Sequence, residues 1–411
     1  MNTKSLKPRL LFISPRFLFP VDSGGKIRTT QILRGLKGGQ FSVHLLSPAE
    51  ADLSVRFSNE IASVCDEFSW WRIKDSGNVS SIRKARYGFG KLPIPVRTDW
   101  SQAGEYAVKT ALLDRPDVAV FDFVHAAVLA PGRINVPSVL FTHNVETEIF
   151  QRHAKVATNP VSRWIWSNQA KKMRVFESAA LARFDVTVAV SDRDAKKFQV
   201  EEPQVRTAVI PTGVDLDYFG FHPPTEDKRV VFCGSMDWLA NQDAIKFFLE
   251  EVWDLISAQV PDAKMTVVGR SPPANLVDQA RRRNLRWDFT GYVDDVRPYM
   301  QGAAVSVIPI RVGGGTRLKA YEAMAAGNPI VSTAIGIEGL PIVDGEHYLR
   351  ADEAKPFAAA VVSLLRDVDT RMRIATQARA LVESRFSYVV AARVFEDACT
   401  DAVSRFHSTR A

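Results

Sequence analysis

Cysteine is scarce: among 411 residues only Cys65, Cys233 and Cys399 occur, odd in number, widely separated and without a C-x-x-C pair. Neither a disulfide framework nor a zinc site is indicated, and a reducing compartment fits. No apolar run reaches the roughly twenty residues that a bilayer-spanning helix needs. The start, MNTKSLKPRLLFISPRF, passes from a polar tail straight into a buried-strand pattern, without the apolar core and small-residue cleavage site of a signal peptide. A cytoplasmic protein is therefore expected, any membrane contact being peripheral at the inner face of the cytoplasmic membrane. Internal repeats and low-complexity tracts are also lacking, and a 46% hydrophobic, 24% charged composition excludes disorder and leaves room for two domains. Acidic residues are outnumbered: 53 Lys and Arg against 46 Asp and Glu give a formal charge of +7, which calls for an anionic partner. Nucleotide, phospholipid and nucleic acid share that chemistry, but no nucleic-acid module or aromatic-basic sheet motif is present.

What is present is a rhythm. Short apolar runs, RLLFIS, FSVHLLS, DVAVFD, VPSVLFTH, DVTVAVS and RTAVIP, alternate with helical patterns such as 26–37, where Ile32, Leu33 and Leu36 share a face. The alternation predicts parallel strands with crossover helices, an α/β fold. After the Pro-, Gly- and Asp-rich stretch PTGVDLDYFGFHPPTEDK the rhythm restarts with RVVFCGS, KMTVVGR, AAVSVIP and NPIVST. The expected organisation is a Rossmann-like domain over 1–210, a linker over 211–228, a second Rossmann-like domain over 229–385, and a final helix within 386–411 that packs back on the first domain. Two doubly wound domains facing a central cleft would bring the carboxyl ends of both sheets to a shared ligand site.

The stretch GGGTRLKAYEAMAAG, residues 313–327, poses a charge question. Gly313, Gly314 and Gly315 cannot lie inside a stable helix, while 316–326 reads as one with Thr316 as N-cap. Arg317 and Lys319 then fall in the first turn, where the helix dipole already disfavours cations. A bound phosphate resolves the conflict, using the free amides, the glycines' close approach and both side chains. The alternative is that both side chains extend into solvent at small cost. Glu322, one turn past Lys319, either pairs with that lysine at i,i+3 or accepts the hydroxyls of a ribose.

Read in order, PVDSGGKIRTTQIL, THNVE, DVTVAVSDRDAKKF, VIPTGVDLDYF, VFCGSMDW, VVGR, FTGYVDD and GGGTRLKAYEAMAAGNPIVST make the whole chain resemble the two-domain GT-B glycosyltransferases. The resemblance is to family 4 of the retaining enzymes, and within it to sugar transferases linked to exopolysaccharide systems. It implies that the C-terminal domain holds a nucleoside diphosphate sugar. It also implies that Glu322 accepts the ribose hydroxyls, that Tyr292 and Val293 lie beside the base, and that Gly234, Gly269 and Arg270 line the nucleotide site. Two departures stand out. Family 4 has a first glutamate eight residues before the second, where this chain has Gly314, and GSMDWLANQD lacks the diphosphate-binding arginine and lysine that most members carry there. Arg317 and Lys319 are expected to substitute, stabilising the leaving phosphate together with the glycine amides.

In the N-terminal half Gly24 and Gly25 open the first helix, either as a second phosphate corner or simply as a turn. His143 ends a strand where family members bring a histidine or its backbone to the donor sugar; the alternative is a hydrogen-bonded structural histidine. Glu146 could orient it or pair with cations. Asp215 and Asp217 form a D-x-D, but in a linker they read as capping residues, and no metal and no cofactor are expected. The stretch 151–174 carries six cations, no acid, and Trp164, Ile165 and Trp166, which reads as an anionic-membrane surface or as a solvated helix. A similar basic and aromatic segment runs over 82–100. The expected function is transfer of a hexose-like sugar to a glycan or lipid-linked acceptor. Rivals are a non-hydrolysing nucleotide-sugar epimerase, disfavoured by the lack of convergent carboxylates, and a catalytically silent nucleotide-sugar-binding homologue.

Overall fold

The computed structural model describes residues 7–72, 90–157, 159–223, 225–312 and 318–408. They divide into two compact units, one holding the described residues up to Gly213 together with the segment from Tyr388, the other the described residues from Val214 to Ser387. The first unit is a parallel sheet of seven strands: β1 (Arg9–Ile13), β2 (Ser42–Ala49), β3 (Glu67–Arg72), β4 (Val118–Asp122), β5 (Ser138–Phe141), β6 (Val186–Ala189) and β7 (Thr207–Val209), in the order β3-β2-β1-β4-β5-β6-β7. Near-continuous apolar runs make the central strands, because helices cover both faces and every residue of β4, β5 and β6 is buried. The order reverses between β1 and β4, and the loops after those strands are where such sheets bind ligands.

The second unit repeats the plan with β8 (Arg229–Cys233), β9 (Lys264–Val268), β10 (Trp287–Gly291), β11 (Val305–Ile308), β12 (Ile330–Ser332) and β13 (Leu349–Arg350), ordered β10-β9-β8-β11-β12-β13 and again all parallel. Its reversal lies between β8 and β11. The Pro- and Gly-rich stretch that opens it is built in: Val214 and Phe219 are buried in this unit's core, and the Val214 amide donates to the Phe386 carbonyl at 2.8 Å.

The C-terminal helix, Tyr388–Ser408, lies against the first sheet through Ala391, Ala392, Phe395, Ala398, Cys399 and Ala402. Phe395 meets Phe141 edge-on at 4.9 Å. Close approach to the helix Gly24–Leu36 depends on Gly35, where a Cβ would lie 2.3 Å from that of Ala392. The helix runs on to Ser408, its last turns supported by Arg405 pairing with Asp401 one turn back.

Candidate functional site

In the second unit the loops leaving β8, β9 and β10 are joined backbone to backbone. The Gly234 amide donates to the Val268 carbonyl at 2.8 Å, the Met236 amide to that of Arg270 at 2.9 Å, and the Gly269 amide to that of Gly291 at 3.2 Å. A Cβ on Gly269 would sit 2.0 Å from the Gly234 carbonyl oxygen, a contact no side chain can relieve because the obstacle is backbone. Gly269→Ala should therefore separate the two loops and cost about 1–3 kcal/mol, measurable as a lowered urea midpoint. Gly291, at φ +71, turns the chain out of β10 and leaves Tyr292 two-thirds exposed at 66%, while Val293 is half-buried beside Val231, Val268 and Ala303. Asp295, which closes this motif, accepts from Tyr218 Oη at 3.1 Å and from Arg297. The Arg297 hydrogen bonds hold it down at about 2.

The loop after β8 lacks cations in its sequence and receives them from elsewhere. Lys319, from the helix Leu318–Ala326, lies with Nζ 4.4 Å from the centre of the Phe232 ring and donates to Asn241 Oδ1 at 2.9 Å. That ammonium lies 2.9 Å from where a Cβ on Gly234 would stand, so the glycine makes room for it. Arg270 Nε donates to Ser235 Oγ at 3.0 Å and Asp237 Oδ2 at 2.9 Å. Asn241, Ser235 and Asp237 went unread in the sequence because their partners lie 78, 35 and 33 residues away.

Glu322 lies one turn beyond Lys319 on the same helix and is half-buried. The i,i+3 pair does not form, since Lys319 turns to Asn241 and no hydrogen bond reaches Glu322 among the described residues. Burial pushes its carboxyl up to about 7, with Lys319 pulling the other way. A carboxylate that meets no donor among the described residues is poised to accept hydroxyls from a ligand. Beside it, burial and the Glu322 charge push the Cys233 thiol up to about 12, so it stays protonated. Gly313, Gly314, Gly315, Thr316 and Arg317 lie outside the described residues, so the glycine corner and the helix start expected at Thr316 do too.

In the first unit His143 is buried at the carboxyl edge, 3% exposed, between Phe123 (ring centres 3.8 Å apart) and Phe141 (4.4 Å). Its Nε2 is 2.7 Å from Asp122 Oδ1 and its Nδ1 3.4 Å from Arg28 Nη1. A carboxylate and a guanidinium fix the tautomer: Nε2 donates and Nδ1 accepts. Burial lowers its pKa although Asp122 opposes, so the ring is neutral. Asp122 also accepts from Thr29 at 2.9 Å and Ser14 at 3.2 Å. Both ring nitrogens are thus engaged within the first unit and the ring is enclosed, the arrangement expected of the hydrogen-bonded structural histidine that the sequence left open. Gly25 likewise has a packing reason: a Cβ there would lie 2.5 Å from Phe123 Cζ. Gly24 is exposed at the start of the helix. Glu146 does not touch His143; it accepts from Asn144 Nδ2 at 3.1 Å.

Asp215 caps its turn, accepting from the amides of Asp217 at 3.1 Å and Tyr218 at 2.9 Å. In the basic stretch, Trp164 is 65% and Ile165 43% exposed, whereas Trp166 packs on Phe150 and His153. Acids from outside the stretch answer part of its charge, Glu148 pairing with Arg152 and Glu201 with Arg174. Residues 82–89 of the second basic segment lie outside the described residues, and the remainder holds the helix Ile94–Asp99.

Residues 227–367 match the model of a family described as glycosyl transferases group 1. Over 216 residues the chain is 29% identical to phosphatidyl-myo-inositol mannosyltransferase of Mycolicibacterium smegmatis, covering 50% of this chain and 55% of the relative. Over 225 residues it is 30% identical to the protein of the same name from Mycobacterium leprae, covering 52% and 59%. The chain thus spans rather more than half the length of these curated relatives. Anabaena Alr3699/HepE, solved in complex with UDP, aligns over 96% of this chain and 100% of its own with a TM-score of 0.69 at 14% identity. At that identity the likeness concerns the fold: two parallel-sheet Rossmann-like domains of the GT-B kind.

Proposed function

We propose that the protein is a glycosyltransferase that moves a hexose-like sugar, with retention and without a metal ion, from a nucleoside diphosphate to a glycan or lipid-linked acceptor in exopolysaccharide or cell-surface glycan synthesis. The observation that carries this reading is the pairing, on one helix, of a half-buried carboxylate that meets no donor among the described residues with a lysine that reaches a glycine loop lacking cations of its own. Glu322 accepts the ribose hydroxyls. Lys319 and Arg270, with Arg317 and the amides of Gly313, Gly314 and Gly315, take the diphosphate, and the backbone of Tyr292 and Val293 lies beside the base. Charge builds on the leaving phosphate as the sugar bond breaks, and fixed cations aimed there lower the barrier. The departing phosphate takes the acceptor proton, so no acid and base carboxylate pair is required, unlike a glycosidase. The matched family segment, the mannosyltransferase relatives and the UDP bound by the Anabaena protein all agree with this reading. Release of nucleoside diphosphate from a nucleotide sugar, followed by chromatography with and without chelator, tests it; an enzyme silent toward every donor, or one silenced by chelation, contradicts it.

We further propose that Lys155, Arg163, Lys171 and Lys172, with Trp164 as the inserting aromatic, hold the first unit, to which the acceptor would bind, at an anionic membrane surface. Each such cation near an anionic leaflet contributes about 1 kcal/mol. The protein should co-sediment with anionic but not neutral liposomes and be released at high salt, and Lys171, Lys172 and Arg174 changed together to glutamine should abolish sedimentation. Trp164→Ala should weaken it and Trp166→Ala should not, because Trp166 is packed on Phe150. Indifference of the wild type to anionic vesicles at low salt would favour a soluble acceptor.

A further inference from the structure

The turn that opens the second unit, residues 215–222, is bonded to two parts of the nucleotide site at once, and every residue involved belongs to that unit. On one side it meets the end of the helix that carries Lys319 and Glu322. The His222 amide donates to the Ala326 carbonyl at 3.0 Å, and Arg379 Nη1 donates to the carbonyls of Phe219 at 2.7 Å and Ala325 at 2.5 Å. These bonds satisfy carbonyls that a helix leaves open in its last turn. Gly327, at φ +85, lets the contact close, since a Cβ there would lie 2.4 Å from the His222 carbonyl oxygen.

On the other side the turn meets the loop after β10, through the residue next to Phe219. Tyr218 Oη donates to Asp295 Oδ1 at 3.1 Å, and Arg297, whose Nη2 donates to Asp295 Oδ2 at 2.7 Å, lies over the Tyr218 ring, 4.1 Å from its centre. The Tyr218 amide is held in turn by Asp215 at 2.9 Å, so the residue is fixed at backbone, ring and hydroxyl. Asp295 Oδ1 also accepts the Arg297 amide at 2.9 Å, which makes one carboxylate both the end of the loop through Tyr292 and Val293 and the anchor for Tyr218. Burial, then the Asp295 charge, then the Glu322 charge raise the Tyr218 pKa, so the phenol stays a donor and stands within the field of Glu322. Consecutive residues thus tie the base-side loop and the ribose-side helix to one turn.

We infer that Tyr218 is a positioning residue for the nucleotide: acting through Asp295, it fixes how the loop of Tyr292 and Val293 stands relative to Glu322, and so the span between the base contacts and the ribose contacts. The inference rests on the nucleotide-sugar reading of that site. Tyr218 and Asp295 lie 77 residues apart in sequence, so no local spacing marks them as a pair.

The test is calorimetric titration of the wild type, Tyr218→Phe, Asp295→Asn and the double variant with UDP, GDP and TDP. Tyr218→Phe keeps a ring beneath Arg297 and loses only the hydroxyl. It should weaken whichever nucleotide the wild type binds by about five- to tenfold. The double variant should bind no more weakly than Asp295→Asn, because both changes break the same bond. With the matching nucleotide sugar, Tyr218→Phe should raise the KM for donor by a like factor and keep kcat within about twofold of the wild type, the reverse of a change at the leaving phosphate. A bond that serves the fold alone would lower the unfolding midpoint and leave nucleotide affinity untouched. Unchanged affinity in Tyr218→Phe, losses that add in the double variant, or a loss that falls on kcat overturns the positioning role and leaves the donor reading standing. A wild type that binds none of the three nucleotides removes the donor reading, and the inference with it.

Discussion

Glu322→Gln should weaken nucleotide binding by about ten- to a hundredfold while making the ligand-free protein harder to unfold above pH 7. The first effect follows from losing a carboxylate that accepts two ribose hydroxyls, a charge-assisted pair of about 1.5–3 kcal/mol. The second follows from linkage. Burial raises the folded-state carboxyl to about 7, against about 4.3 in an unfolded chain. The folded state therefore holds a proton between those values that the unfolded state has released. The resulting stability is full below about pH 4.3, is lost as pH rises through 7, and amounts to about 1–3 kcal/mol. Glutamine never ionises and escapes that loss. Wild-type affinity for nucleotide should accordingly climb with pH up to about 7, as the ionised form becomes populated, and the variant's should stay flat. Calorimetric titration and thermal unfolding at pH 5, 6, 7 and 8 measure both. Equal affinity in a folded variant would refute the role of Glu322.

Lys319→Ala should lower turnover by on the order of a hundredfold or more and leave binding of the free nucleoside nearly intact, because the ammonium acts on charge that grows in the transition state. The geometry adds a graded control. Asn241 holds Lys319 Nζ at 2.9 Å without itself carrying charge. Asn241→Ala should therefore lower kcat by about tenfold through misplacement of the lysine, less than removing it. A Lys319→Ala enzyme that turns over normally would return the lysine to a merely structural place above Phe232.

Most strands read from the sequence were those buried on both faces, where packing against two helix layers enforces long apolar runs; β7, a half-buried edge strand, was read as well. The three that went unread, β3 (EFSWWR), β10 (WDFTG) and β13 (LR), all lie at sheet edges, where exposure breaks the run. Glu322 and Lys319 were legible because their spacing on one helix is a local property. The choice between an i,i+3 ion pair and a lysine turned toward Asn241 was not, since it depends on a loop 78 residues away. His143 shows the same limit: its place at the end of β5 was readable, but the Asp122 and Arg28 side chains that occupy both nitrogens come from two other elements.

The central claim is that the second unit binds a nucleoside diphosphate sugar around Glu322. Thermal unfolding in the presence of UDP, GDP, TDP and their sugars tests it most directly, because a ligand at a hundredfold over its dissociation constant adds about 2.7 kcal/mol of stability. One base should raise the midpoint by several degrees in the wild type and fail to do so in Glu322→Gln. If no nucleoside diphosphate or nucleotide sugar moves the wild-type midpoint, or if the wild type and Glu322→Gln respond alike, the site is not the one described.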